Sequence, residues 1–217
     1  MRLGTYYRCK LLAQIGIKAT GERVLDVGGY DGYWLSTQEA KNKYVLDINI
    51  IKKYKEIKYV KADALKIPFA DNYFDQVFAF DVIEHIEERK ETKFLSELIR
   101  VCKKNGEIIL STPSKAIKLF PSFMTNYISR KWGHNKCNGY SKEELKKMLS
   151  VFDNIKYLIL DDSSPAFRLL FIVVRFLWFI RQNPTEKIVD KLALYDSRHN
   201  EGNEGYYIIK ISKNNLK

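Results

Sequence analysis

Apolar residues fall in short runs separated by glycine, proline and charged clusters. Residues 23–28, 43–47, 57–60, Phe74–Phe80, Glu107–Ser111, 154–160 and 206–211 read as seven strands. Phe74–Phe80, FDQVFAF, is apolar at nearly every position, as a parallel strand buried on both faces must be. The stretches between the runs carry helical spacing instead. Tyr7, Leu11 and Ile15 recur along residues 5–18. Phe94, Leu98 and Cys102, with Leu95 and Ile99 beside them, mark a helix over 88–103 that Asn105–Gly106 is expected to cap. Shorter helices are expected over 33–40 and near Asn49, and Ser141 with Glu144 three residues later has the form of a capping box. Alternating strands and helices predict an α/β fold.

One stretch departs from amphipathic patterning. Between Pro165 and Ile180 nearly every position is apolar, with Arg168 and Arg175 seven residues apart on one narrow side. A helix apolar all round is buried or docked against something, and this one is shorter than the roughly 20 residues that span a bilayer. Burial under residues 182–204, a homodimer interface and a peripheral membrane contact through 165–181 are the three outcomes its composition allows.

The chemistry concentrates where the first strands end. The first breaks into Gly28, Gly29 and Gly32 within VLDVGGYDG, a tight turn that opens a helix. Asp26, late in that strand, is poorly suited to a pyrophosphate and better matched to a positively charged group. The second strand ends in Asp47, where an acid can accept from both hydroxyls of a ribose. A third acid, Asp63, follows the third strand.

VLDVGGYDG, YVLDINI, ADALKIPFADNYFDQVFAFDVIEHI and ELIRVCKKNGEIILSTPS, in this order and spacing over about residues 20–160, resemble the class I S-adenosylmethionine-dependent methyltransferases, closest to the type 11-like group acting on small molecules, quinones and lipid-linked intermediates. The resemblance implies a Rossmann-like, seven-stranded, mostly parallel sheet with helices on both faces and the last strand antiparallel. It implies S-adenosylmethionine as cofactor and S-adenosylhomocysteine as product. It also implies cofactor contacts from Asp26, Gly28, Gly29, Tyr30, Gly32, Asp47, Ile48, Asp63, Ala64 and Phe80, with Asp63 and Ala64 meeting the adenine edge. Gly28 and Gly32 match the first and last glycines of the family turn. Tyr30 takes the place of the middle one, which points to a ring beside the ligand. Asp81 and His85, after the fourth strand, are the candidate catalytic residues, His85 as a general base. Methyl transfer from a sulfonium needs alignment above all, so no metal is expected. His134, in WGHNK, is read as an exposed loop residue.

With 217 residues, the chain reads as one methyltransferase domain. Residues 1–20 are expected to form an N-terminal helical cap, and the resemblance implies that 114–140 and 161–204 are variable acceptor or interface segments. Its net charge of +11 favours anionic partners. Three scattered cysteines without a Cys-x-x-Cys pair fit a reducing cytoplasm, and no signal peptide is visible. The expected acceptor is a small or lipid-like molecule. The basic charge keeps an RNA methyltransferase as the alternative, although no Asn-Pro-Pro-aromatic tetrad follows strand four. A nicotinamide-dependent dehydrogenase is disfavoured by the missing Gly-x-Gly-x-x-Gly spacing, and a non-catalytic binding module remains the last alternative.

Overall fold

A computed structural model describes residues 9–10, 12–51, 54–115, 139–161 and 206–213, together with 126–127, 130, 133–136, 190–191 and 194. The apolar stretch 165–181 and the remainder of 161–204 expected to cover or border it lie largely outside the described residues. So do most of the 114–140 segment and the beginning of the N-terminal cap.

Among the described residues seven strands form one sheet: β1 (Arg23–Val27), β2 (Asn42–Asp47), β3 (Ile57–Lys61), β4 (Phe74–Phe80), β5 (Cys102–Pro113), β6 (Ile155–Asp161) and β7 (Tyr206–Lys213). Their order is β3-β2-β1-β4-β5-β7-β6. The first five run parallel, and β7 lies antiparallel between β5 and β6. This is the expected Rossmann-like sheet. The chain builds outward from β1 through β2 to β3, then returns to place β4 on the other side of β1. The carboxyl ends of β1 and β4 therefore flank the switch point where open α/β sheets bind ligands.

Alternation along the strands feeds two cores, one on each face. Leu25, Val27, Leu46, Val77, Ala79, Ile108, Leu110 and Ile209 pack with Phe94, Leu95 and Leu98 of α2 (Glu91–Val101). Val24, Val45, Phe78, Ile109 and Ile208 pack with Leu12, Ile17 and with Trp34 and Leu35 of α1 (Tyr33–Ser36). Trp34 meets Phe78 and Phe80 edge-on, at centroid distances of 4.5 and 4.9 Å. Arg100 on α2 clamps the β3–β4 loop, donating to the carbonyls of Ile67 and Phe69 and to Asp71. The box predicted at Ser141 opens α3 (Lys142–Leu149): Ser141 Oγ accepts from the Glu144 amide at 3.2 Å, and Glu144 accepts from the Ser141 amide at 2.8 Å.

Three local expectations are corrected. The helix near Asn49 is absent from the described residues there, because Asp47 Oδ1 accepts from the Asn49 amide at 2.8 Å and closes a side-chain turn. The helix after β1 stops at Ser36 rather than 40, its last turn bonded by Ser36 and Thr37 hydroxyls to the carbonyls of Tyr33 and Trp34. Asn105–Gly106 does not cap α2. The helix ends at Val101, Cys102 already pairs with Phe74, and Asn105, at φ 62°, sits in a register shift inside β5. Gly106 is required there because a Cβ would come within 2.7 Å of Cys102 Sγ.

Candidate functional site at the carboxyl end of the sheet

The turn after β1 is a left-handed corner held by its neighbours. Gly28 and Gly32 have φ of 75° and 73°, and Tyr30 follows them into this region at 49°. The three glycines were expected to admit a ligand, but the structure gives each a further reason. A Cβ on Gly28 would lie 2.5 Å from Val82 Cγ2, one on Gly29 2.5 Å from Asp26 Oδ2, and one on Gly32 2.6 Å from the Tyr59 hydroxyl. Asp26, 4% exposed, thus reaches back under the turn. The Tyr59 hydroxyl donates to the Asp31 carbonyl at 2.9 Å and accepts from the Tyr54 amide at 3.0 Å, tying β3 to the loop. Burial, the largest influence on that phenol, raises its pKa.

Asp47 links the turn to the end of β2. Its Oδ2 accepts from the Tyr30 amide at 3.0 Å and its Oδ1 from Asn49 at 2.8 Å. Each oxygen keeps a second lone pair for a ligand hydroxyl. Beside it Ile48 is 58% exposed, an apolar plate of the kind that a flat base covers. Asp63 is exposed, with Oδ1 accepting from the Leu65 amide at 2.8 Å, and Ala64 packs partly buried. Phe80 turns inward to Trp34 and is 7% exposed, so its backbone, not its ring, borders the end of β4.

Asp81 stands directly after β4 in the left-handed region at φ 54°. A non-glycine residue there stores strain that its surroundings must hold. Its amide donates to the Ser111 carbonyl at 3.1 Å and to Ser111 Oγ at 3.2 Å. Ser111 Oγ donates to Asp81 Oδ1 at 3.1 Å and lies 3.1 Å from the Tyr206 hydroxyl. Ser111 and Tyr206 were not singled out from sequence. They are 30 and 95 residues away from Asp81 and from each other in turn, and no local pattern marks them.

A 3₁₀ turn, Ile83–His85, follows. Glu84 is 1% exposed and accepts from Thr112 Oγ1 at 3.2 Å. His85 is exposed, with Nδ1 3.0 Å from the Gly133 carbonyl. A carbonyl only accepts, so Nδ1 carries the proton and Nε2 keeps the lone pair. His134 is half-buried against it, ring centroids 4.6 Å apart and nearly perpendicular. Burial, with the His85 ring adding to it, pushes the His134 pKa down to about 4, so the ring is neutral at pH 7. A separate cavity of about 280 Å³, lined by Thr20, Gln76 and Glu107 among others, opens at the amino-terminal end of β4. It gathers none of the turn, strained or strand-end acidic residues, and the carboxyl end is the candidate site.

Residues 18–110, which contain the glycine turn and all three strand-end acids, match the sequence profile described as a methyltransferase domain. Over these residues the chain is similar to a methyltransferase domain. It is 32% identical over 95 residues to an uncharacterized protein of Methanocaldococcus jannaschii; the match covers 42% of this chain and 41% of that one. The chain thus spans about two fifths of the length of that relative. Among solved structures it resembles an S-adenosylmethionine-dependent methyltransferase of Archaeoglobus fulgidus, with 20% identity, a TM-score of 0.61 and coverage of 98% of this chain and 95% of the other. It also resembles phosphoethanolamine N-methyltransferase 2 of Haemonchus contortus in complex with S-adenosylmethionine, with 16% identity, a TM-score of 0.63 and coverage of 98% and 53%. A third neighbour, SpnF, is a cyclase, with 18% identity, a TM-score of 0.61 and coverage of 96% and 80%. At such identities the likeness is one of fold, and a fold does not fix a reaction.

The strand-end residues form a donor set that suits S-adenosylmethionine. Asp47 can take ribose hydroxyls, Ile48 can cover a base, and Asp63 can meet an exocyclic amine. Asp26 puts a carboxylate, not a cation, beneath the turn, as a sulfonium-bearing zwitterion requires and a pyrophosphate does not. Among the described residues no helix is long and apolar enough to cross a membrane.

Proposed function

We propose that the chain transfers a methyl group from S-adenosylmethionine to a small-molecule or lipid-like acceptor. The observation that carries this reading is Asp47. One carboxylate at the end of β2 holds the Tyr30 amide of the glycine turn and still presents lone pairs beside the exposed Ile48. The cofactor, when bound, supplies a methyl group already activated on a positively charged sulfur. What remains for the protein is positioning. Gly28–Gly32 shapes the floor beneath the amino-acid portion. Asp81, braced by Ser111, borders the switch point from the β4 side and orients the acceptor. Where the acceptor loses a proton on methylation, Nε2 of His85 serves as the base, its tautomer set by the Gly133 carbonyl. The basic net charge favours an acceptor bearing phosphate or carboxylate.

Native mass spectrometry of the purified chain tests the reading. A mass increment of S-adenosylmethionine or S-adenosylhomocysteine, displaced by added cofactor, is expected. A chain that shows no calorimetric binding of either compound at millimolar concentration overturns it.

A further inference from the structure

Two of the three histidines in the chain, His85 and His134, meet one buried carboxylate, Glu84. One ligand atom from each residue lies within 4.8 Å of the others. The grouping joins adjacent residues after β4 to a residue 49 positions later, so spacing along the chain gave no sign of it.

The loop carrying His134 is anchored by bonds that do not involve its ring. The amides of Asn135 and Lys136 both donate to the Glu84 carbonyl, at 2.9 and 3.0 Å. Asn135 Nδ2 donates to the His85 carbonyl at 2.7 Å, and His85 Nδ1 donates to the Gly133 carbonyl at 3.0 Å. Four hydrogen bonds therefore deliver His134 to this place whether or not anything binds. The last of them has a second consequence. An imidazole whose Nδ1–H is held by a carbonyl presents Nε2 as a ligand in a fixed orientation, the arrangement found behind metal-bound histidines. Glu84 Oε2 likewise has an orienting donor in Thr112 Oγ1. Lys136, two residues after His134, is directed to Glu144 Oε1 at 3.5 Å.

We propose that Glu84, His85 and His134 form a binding site for a first-row divalent cation, with Zn²⁺ as the best match. Two imidazole nitrogens and one carboxylate oxygen are the ligand set of open zinc sites, which leave a position for water or a substrate atom. Ligands at about 2.1 Å in a tetrahedron stand about 3.4 Å apart, so the set contracts when a cation binds. Glu84 and His85 follow Asp81 closely along the chain, which makes this an acceptor-side site, and this role rests on the transferase reading. There the metal takes the Nε2 lone pair in place of a proton. It replaces general-base assistance by lowering the pKa of the acceptor group it binds.

The test needs neither cofactor nor acceptor. The full, tag-free chain is stripped with EDTA and titrated with Zn²⁺ by calorimetry in the presence of a competing chelator. One equivalent is expected. His134→Ala should weaken binding more than about 100-fold, beyond the loss typical of an outer-shell change. Glu84→Gln, nearly the same size, provides a second ligand deletion should the first fail to fold. His199→Ala, the remaining histidine, should leave affinity unchanged. With Co²⁺, visible d–d absorption should appear in the wild type and disappear in His134→Ala. No saturable Zn²⁺ binding, or binding that survives within about 3-fold in both ligand variants, overturns the site. A chain that binds Zn²⁺ with one equivalent but no S-adenosylmethionine overturns the transferase reading and leaves the metal site standing.

Discussion

Asp47→Ala removes one carboxylate with two duties, and the structure lets their sizes be separated. In the free protein the side chain accepts from the amides of Tyr30 and Asn49, at 3.0 and 2.8 Å. Both bonds reach a charged acceptor, but the residue is half-exposed and water can replace it. A stability loss of about 1–2 kcal/mol is expected. Ligand binding should lose a further pair of charge-assisted hydrogen bonds to the ribose. That costs about 1.5–3 kcal/mol, or roughly 10- to 150-fold in affinity. Calorimetry with S-adenosylhomocysteine measures the total. An analogue lacking both ribose hydroxyls separates direct contact from slackening of the turn. It should bind wild type weakly and lose little more on mutation. Equal losses for the analogue and the full cofactor would mean that Asp47 acts only through Tyr30, and a folded variant with unchanged affinity would falsify the ribose assignment altogether.

Gly32→Ala places a Cβ 2.6 Å from the Tyr59 hydroxyl at a φ of 73°, where left-handed strain alone costs about 1–2 kcal/mol. Chemical denaturation should show at least that loss together with weakened cofactor binding, and an unchanged midpoint refutes the packing account. Burial is the largest single influence on the Glu144 carboxyl and raises its pKa, but Lys115, the Ser141 amide and Lys136 together hold it down to about 2. A depressed carboxylate stabilises above its unfolded value of about 4.3 and loses that contribution as pH falls towards the folded value. Glu144→Gln should therefore flatten the stability profile between about pH 5 and 2, and parallel profiles for variant and wild type would exclude the ion-pair contribution. Ser141→Ala should cost about 1 kcal/mol by urea unfolding, as cap removal does, and a loss below a few tenths would show the box to be idle.

The sequence alone determined the strands, because each buried strand must carry an apolar run that glycine, proline or charge interrupts. It placed β4 at Phe74–Phe80 to the residue, and the Ser141–Glu144 box to the atom. The acids Asp26, Asp47 and Asp63 were expected near strand ends from the same local pattern, and they lie in or just after β1, β2 and β3. Where local signals competed, the tertiary structure decided. Asn105–Gly106 has the composition of a helix cap, but pairing of Cys102 with Phe74 extends β5 back through it. The glycines of the turn read as space for a ligand, yet Val82, Asp26 and Tyr59 press against them from elsewhere in the chain. Ser111 and Tyr206 brace Asp81, and the 133–136 loop sets His134 beside Glu84 and His85. These contacts join residues tens of positions apart through the sheet order, and nothing in the local spacing of side chains encodes a distance that only the folded topology closes.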